Sequence, residues 1–250
     1  MIRHPYVFAA LATMTLPALA AAATPPYTAA VADAARPAAD TASDANRKPA
    51  EMLAFAHVKP GQTIVDYIPG KGYFTRLFSA AVGPTGTVYA VTPQMLIDIM
   101  TKKGFPLPPS ITGEPGRGNV HDVVAGGGSL NVPAKVDLVW TSQNYHDVHI
   151  GVGAAGAAQL DRAVFDALKP GGLYVVVDHA GAAGLDEAGT AKLHRIDEAA
   201  VKKEVLAAGF LLDAESDVLR NPADPHTANV FDPSIRSHTD QFALRFRKPR

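Results

Sequence analysis

The stretch Thr63-Ile-Val-Asp-Tyr-Ile-Pro-Gly-Lys-Gly-Tyr-Phe-Thr-Arg-Leu-Phe78 combines the signals of a strand, a glycine turn and a helix. Its β-branched start, Thr63 to Val65, indicates a buried strand that ends on the carboxylate of Asp66. Pro69 to Gly72 turn the chain, and the apolar spacing from Tyr73 to Val82 predicts the helix. Such a unit opens a doubly wound nucleotide-binding sheet, in which the glycines let backbone amides approach a ligand closely.

The spacing of the glycines distinguishes two classes of ligand. The G-x-G-x-x-G pattern of dinucleotide enzymes is absent from this turn. Asp66 is followed by Gly70 at +4 and Gly72 at +6, which resembles motif I of class I S-adenosylmethionine-dependent methyltransferases, an acid with glycines at +2, +4 and +6. Ile68 occupies the +2 position. The resemblance implies S-adenosylmethionine as cofactor, bound by Asp66, Pro69, Gly70 and Gly72, and a glycine turn without a ligand is the alternative.

The rest of the chain alternates strands with helices. Further strands are predicted at 87–91, 120–125, 136–141, 173–178, 210–218 and 242–247, and further helices at 44–57, 93–103, 154–168 and 190–208. No helix separates the last two strands. This order predicts an α/β fold with a doubly wound, mainly parallel seven-stranded sheet and an antiparallel last strand.

Residues 1–23 have the composition of a secretory signal peptide. A short basic start precedes an apolar run from Tyr6 to Leu19, and the alanines that follow provide small-residue cleavage positions. We expect export, most simply to a periplasm, and an uncleaved membrane anchor is the alternative. Residues 24–43, rich in Ala, Pro, Thr and Asp, are predicted to be a flexible linker before a domain at 44–250.

The overall composition restricts the kind of partner. The chain has 250 residues, a formal net charge of −1 and no cysteine. A near-neutral charge gives no electrostatic footprint for nucleic acid, so a small-molecule substrate is expected. The lack of cysteine excludes thiol nucleophiles, thiolate metal sites and disulfides. Beyond the amino terminus no apolar run is long enough to span a membrane, and no stretch marks an oligomer interface.

Several longer motifs resemble a bacterial family of predicted, often exported, class I methyltransferases. These motifs span residues 45–250 and are Arg47-Lys-Pro-Ala-Glu51, Pro69-Gly-Lys-Gly-Tyr-Phe74, Asn144-Tyr-His-Asp147, Lys169-Pro-Gly-Gly172, Val177-Asp-His179, His194-Arg-Ile-Asp197, Leu219-Arg-Asn-Pro222 and Ile235 to Lys248. The resemblance implies transfer of a methyl group from S-adenosylmethionine to an acceptor that the sequence does not name.

Ligands of open α/β sheets bind beyond the carboxyl ends of the strands, so the residues there are the candidate site. Asn144 after the fourth strand is assigned to the cofactor. Tyr145, His146 and Asp147 are assigned to catalysis, with His146 as a general base that Asp147 or Asp178 orients. A histidine bonded only to the backbone is the alternative.

Thr92 is the cofactor residue that departs most from the family pattern. It follows the second strand, where an acid usually binds both ribose hydroxyls. A single threonine hydroxyl cannot replace a carboxylate that binds both ribose hydroxyls, so weaker or altered cofactor binding is expected.

The residues predicted to bind the substrate lie after the fifth strand, on the long helix and in the loop at 220–240. They are Asp178, His179, His194, Arg195, Arg220 and Asn221. A loop of this length between two strands commonly covers a site. Arg220, Asn221 and Arg236 are candidates for binding an acidic group, and surface salt bridges are the alternative.

Two other functions stay open. The missing +2 glycine and Thr92 favour a non-catalytic small-molecule-binding protein on a methyltransferase fold. A metal-dependent hydrolase is the third hypothesis, because four histidines and two acids from separate loops can converge: His146, His149, His179, His194, Asp147 and Asp178. No H-E-x-x-H spacing is present, and no metal is assigned.

Overall fold

The fold is described by a computed structural model that covers residues 27–250. The predicted signal peptide and the first three residues of the predicted linker lie outside this range. Among the described helices, none combines the length and the apolar character needed to cross a bilayer.

The centre of the fold is a seven-stranded sheet whose strands follow the spatial order β3-β2-β1-β4-β5-β7-β6. The strands are β1 Thr63–Tyr67, β2 Thr87–Pro93, β3 Val120–Ala125, β4 Val136–Ser142, β5 Leu168–His179, β6 Leu211–Ser216 and β7 Gln241–Arg247. The first five strands are parallel, and β7 runs antiparallel to both β5 and β6. This arrangement confirms the predicted fold class. The strand order reverses between β1 and β4, which is where such sheets open a ligand crevice.

The helices cover both faces of this sheet. They are α1 Tyr27–Val31, α2 Ala38–Thr41, α3 Asp44–Arg47, α4 Pro49–Phe55, α5 Tyr73–Val82, α6 Gln94–Lys102, α7 Tyr145–Ala167, α8 Glu187–Leu193 and α9 Glu198–Ala207. On one face Trp140 of β4 packs with ring centroids 4.5 Å from Phe74 and 5.5 Å from Phe78 of α5. On the other face α7 and α9 bury Val164 and Val201. The strand ends that carry the candidate site therefore stand on a packed core.

Two predicted helices are each divided in the structure. The helix predicted at 44–57 is two helices, α3 and α4, separated by Lys48 in the left-handed conformation (φ 46°, ψ 56°). The helix predicted at 154–168 matches the second part of α7, which is interrupted at Gly153, where φ is 67° and ψ is −178°. The helix predicted at 190–208 is two helices, α8 and α9, separated by His194 in the left-handed conformation (φ 52°, ψ 46°). α9 then starts anew because the Asp197 carboxylate accepts a hydrogen bond from the Ala199 amide at 2.9 Å.

The stretch predicted to be a flexible linker is instead folded from residue 27 onward. It forms α1 and α2, and its acids reach the domain: Asp33 pairs with Arg117 at 2.5 Å and Asp40 with Arg76 at 3.0 Å. Both arginine side chains are almost fully buried. The local composition is that of a linker, but these long-range ion pairs dock the segment onto α5 and the loop before β3.

Candidate functional site

The glycine turn after β1 exposes one glycine and buries the other. Gly70 has φ 58°, and a Cβ added there would meet no atom within 4 Å. Gly72 has φ 82°, and its Cβ would lie 2.3 Å from Cδ1 of Ile111. The Pro69 carbonyl closes the turn by accepting the Gly72 amide at 2.9 Å. Gly70 therefore has open space beside it, whereas Gly72 is required by packing.

Ile68, in the +2 position of the motif, takes the conformation that a glycine would take. Its φ is 57°, and its amide donates to the Val91 carbonyl at 2.8 Å. A left-handed conformation costs an L-residue about 1–2 kcal/mol and is rare for a β-branched side chain. The backbone path of the motif is thus retained although the glycine is not.

Asp66 and Thr92, both predicted to bind the cofactor, have contacts within the protein. Asp66 is buried, and its carboxylate accepts a hydrogen bond from Oγ1 of Thr75 at 2.6 Å. Burial raises the pKa of Asp66 to about 6. This carboxyl group joins β1 to α5 beneath the turn. Thr92 is half-buried within β2, in register with Val124 of β3.

Asn144 links the two loops that flank the crevice. Its Nδ2 donates to the Ile68 carbonyl at 3.0 Å and to the Ser142 carbonyl at 2.7 Å. It therefore fixes the distance between the loop after β1 and the start of α7.

An apolar pocket of about 280 Å³ opens at the carboxyl ends of β1, β2 and β3, against α7. Its lining includes Tyr67, Pro93, Gln94, Met95, Gly126, Gly127, Leu130, Val148 and Val152. None of the described residues that line it is acidic. A flat apolar ring fits this lining better than a charged group does.

His146 and Asp178 form a buried pair at the ends of β4 and β5. The Asp178 carboxylate lies 2.7 Å from Nδ1 of His146 and also accepts the His146 and His179 amides at 2.8 and 2.7 Å. Burial by itself would lower the pKa of His146, but the Asp178 carboxylate outweighs it and the pKa lies above its usual value. Burial would likewise raise the pKa of Asp178, yet the His146 imidazole holds it below the usual range. The structure thus brings together His146 and Asp178 as predicted.

Asp147 and His194 complete a cluster around the free side of the His146 ring. Oδ1 of Asp147 lies 3.4 Å from Nε2 of His146 and 3.5 Å from Nδ1 of His194. The side chain of Asp147 is 44% exposed and that of His194 is 29% exposed. The three nitrogen and oxygen atoms lie within 4.8 Å of one another.

Tyr145, predicted to be catalytic, points away from this cluster. Its side chain is fully buried, and its hydroxyl lies 2.8 Å from Oδ2 of Asp161 and 3.0 Å from Oε2 of Glu204. His149 contacts the same Glu204 at 2.9 Å. Burial raises the pKa of Asp161 to about 7. Tyr145 and His149 therefore belong to a polar network between α7 and α9, which the sequence did not reveal.

His179 lines a second, polar pocket of about 330 Å³ beside the buried pair. Its Nδ1 lies 2.7 Å from Oγ1 of Thr239, and burial lowers its pKa to about 4, so the ring is neutral near pH 7. The other lining residues include Ser43, Asn46, Arg47, Gln143, Phe231, Arg236 and Gln241. The pocket thus joins the segment before the sheet to the loop before β7.

Arg47 is the pocket residue that the sequence analysis missed as a site residue. Its guanidinium carbon lies 4.2 Å from the Tyr73 ring centroid and 4.8 Å from that of Phe74, and Nη2 donates to Ser142 at 3.3 Å. Within residues 27–250, no carboxylate lies at ion-pair distance from Arg47 or Arg236. The place of Arg47 in the motif Arg47-Lys-Pro-Ala-Glu51 was the available signal in the sequence. Only the fold shows that the Arg47 side chain reaches the polar pocket.

Three residues predicted to bind substrate have structural partners instead. The Arg195 side chain is fully buried and pairs with Asp224 at 2.8 Å. Arg220 pairs with Glu198 at 2.5 Å. Asn221 donates from Nδ2 to the His238 carbonyl at 2.5 Å. Their contacts hold the loop between β6 and β7 in place.

No protein-family model matches the chain, and no curated protein matches it in sequence. Among solved structures, a putative sarcosine dimethylglycine methyltransferase from Galdieria sulphuraria has a TM-score of 0.53 at 13% identity, over 82% of this chain and 84% of that one. An S-adenosylmethionine-dependent methyltransferase from Mesorhizobium loti has a TM-score of 0.51 at 16% identity, over 82% and 100%.

The [4+2]-cyclase SpnF has a TM-score of 0.51 at 18% identity, over 85% of this chain and 81% of that one. At these identities the likeness establishes the fold, which is that of the S-adenosylmethionine-dependent methyltransferases. A cyclase among the neighbours illustrates that this fold also serves other chemistry.

Proposed function

We propose that the protein is an S-adenosylmethionine-dependent methyltransferase that acts on a small anionic acceptor. The observation that carries the proposal is the pair of pockets at the carboxyl edge of a methyltransferase-type sheet, one apolar and one with two unpaired arginines. The cofactor's methionine end would lie at Gly70, and its adenine in the apolar pocket near Tyr67 and Leu130.

The acceptor class follows from the charge of the polar pocket. Arg47 and Arg236 line it together with neutral amides and the neutral imidazole of His179. Arg47 is half-buried and Arg236 is exposed. Within residues 27–250 the half-buried Arg47 has no carboxylate at ion-pair distance, which favours an anionic ligand, and arginine binds carboxylate or phosphate oxygens in a bidentate manner. Methyl transfer then rests on holding the acceptor in line with the sulfonium methyl group.

Calorimetric titration with S-adenosylmethionine and S-adenosylhomocysteine tests the cofactor. We expect micromolar binding that Gly70→Val abolishes. The matched control is Gly104→Val, because Gly104 also has a positive φ (69°) and open surroundings but follows the far end of α6. The absence of binding at millimolar cofactor would contradict the methyltransferase function.

Methyl transfer to a panel of small carboxylates, phosphate esters and their neutral analogues tests the acceptor. We expect transfer only to anionic compounds and a rise in their KM of at least tenfold in Arg47→Met, with unchanged cofactor affinity. Transfer to neutral analogues with equal efficiency would contradict the anionic acceptor while leaving methyl transfer intact.

A non-catalytic binding protein is the second candidate. It is favoured by the absence of an acid among the described residues that line the apolar pocket and by the burial of Asp66. Cofactor binding without turnover on any acceptor would support it.

We also propose that the chain is exported to the periplasm after removal of residues 1–23, as expected for members of the exported family that the sequence resembles. S-adenosylmethionine is made in the cytoplasm, so the source of cofactor matters for this proposal. Mass spectrometry of the mature amino terminus and fractionation of a Gram-negative host test it. A full-length chain that stays in the cytoplasmic fraction would contradict export.

A further inference from the structure

We propose that His146, Asp147 and His194 form a binding site for a divalent transition-metal ion of the Zn²⁺ type. The proposal is independent of methyl transfer, because it rests only on side chains at the start of α7 and at the end of α8. Two histidines and one carboxylate are a ligand set that such ions take in proteins, with a further position left for water or substrate.

The orientation of the His146 ring supports this site. Nδ1 faces the buried Asp178 carboxylate at 2.7 Å, which directs Nε2 toward Asp147 and His194. A ligating histidine commonly donates its other ring N–H to a carboxylate, which fixes the ring and makes the ligand more basic. Asp178 is fully buried and held by two backbone amides, so this orientation exists before any metal binds.

The side chain of His194 gives independent support for the metal site. Its Nδ1 is shielded from solvent and makes no hydrogen bond, although a buried polar nitrogen normally has a partner. The residue sits in the left-handed conformation at the break between α8 and α9 and precedes the buried Arg195. The backbone there is held in an unfavourable conformation that aims this nitrogen at the Asp147 carboxylate.

The distances between the atoms fit a shared cation. Zinc binds nitrogen and oxygen at about 2.0–2.2 Å, so two ligands of a tetrahedral site lie about 3.4 Å apart. The two measured separations from Oδ1 of Asp147 are 3.4 and 3.5 Å. Charge-assisted hydrogen bonds are shorter, at about 2.7–2.9 Å. The cluster is therefore spaced for ligands around a cation rather than for direct hydrogen bonds.

The open position of this site would border the polar pocket. The His194 ring centroid lies 5.0 Å from that of Phe231, and the His146 centroid lies 5.6 Å from that of His179. Phe231 and His179 both line the pocket. An anionic ligand bound there can therefore reach the metal, which would polarise an oxygen in its open position.

Metal titration of the purified full-length mature chain, with any affinity tag removed, tests the site. We expect one equivalent of Zn²⁺ to bind at pH 7.5, and Co²⁺ to give the visible absorption of a low-coordinate site. Asp147→Asn and His194→Asn should each weaken Zn²⁺ binding at least tenfold, and asparagine tolerates the left-handed backbone at residue 194.

The matched control is His121→Ala, which removes an exposed histidine of β3 that is not part of the cluster. We expect it to bind Zn²⁺ as the parent does, with circular dichroism unchanged in all variants. Binding that is no tighter in the parent than in His194→Asn would overturn the proposal, as would equal loss in His121→Ala. Because Zn²⁺ binding is measured without S-adenosylmethionine, the result does not depend on the methyltransferase proposal.

Discussion

Replacing Arg195 by methionine tests whether this residue shapes the site or binds substrate. Its guanidinium pairs with Asp224 at 2.8 and 3.0 Å and donates to the carbonyls of Ala228 and Ala180 at 2.9 and 3.0 Å. Breaking a buried ion pair costs about 3–5 kcal/mol. In the variant the Asp224 carboxylate still accepts hydrogen bonds from the Asp240 and His226 amides. We therefore expect the free energy of unfolding to fall by about 3 kcal/mol, the lower end of this range.

Urea denaturation measures this loss. With a slope of about 3 kcal/mol per molar, the midpoint should fall by about 1 M, and Tm by about 6–12 °C. Arg220→Met is the control, because Arg220 is 30% exposed and a surface pair contributes less than about 1 kcal/mol. Adding Asp224→Asn to Arg195→Met should cost little more than the single change. Stability within about 1 kcal/mol of the parent, together with a raised KM, would refute the structural role of Arg195.

Three further predictions concern the pH dependence, the glycine turn and the amino-terminal segment. Burial raises the folded-state pKa of Asp161 from 3.8 to about 7, so the folded protein binds more protons than the unfolded one between pH 4 and 7. Stability should therefore fall as pH rises through this range, by up to about 4 kcal/mol, and Asp161→Asn should flatten the urea-midpoint profile; a parallel profile would contradict this. Gly72→Ala should cost about 1–3 kcal/mol more than Gly70→Ala, because only its Cβ collides with Ile111, and equal Tm values would contradict it. A chain that starts at residue 44 should lose about 3 kcal/mol against one that starts at residue 24, because the buried Arg117 loses its partner Asp33, whereas Arg76 loses Asp40 but keeps Glu114; equal urea midpoints would show that the segment contributes nothing.

The strands and their order were predictable because each central strand is buried on both faces. Such strands appear in the sequence as continuous runs of β-branched and other apolar residues, such as 63–65 and 173–177. The turn after β1 was predictable for a similar reason, since Gly70 and Gly72 both need a positive φ. Both features are marked by residues that are neighbours in the sequence, so they can be recognised without knowledge of the fold.

Features that depend on distant partners were not predictable in the same way. Residues 27–43 have a linker's composition, and only Arg117 and Arg76 from elsewhere in the chain show why they fold. Arg195 and Asp224 are 29 positions apart, so nothing local marked them as partners. The helix break at His194 did have a local signal, the capping residue Asp197, which the apolar periodicity outweighed.

The position of β7 determines when the polar pocket can form during folding. This strand is the last in the chain, yet it lies between β5 and β6, and Gln241 at its start lines the same pocket as Arg47. During synthesis from the amino terminus, the edge of β5 stays unpaired until the residues of β7 have emerged. Assembly of the polar pocket therefore follows the insertion of β7 between β5 and β6.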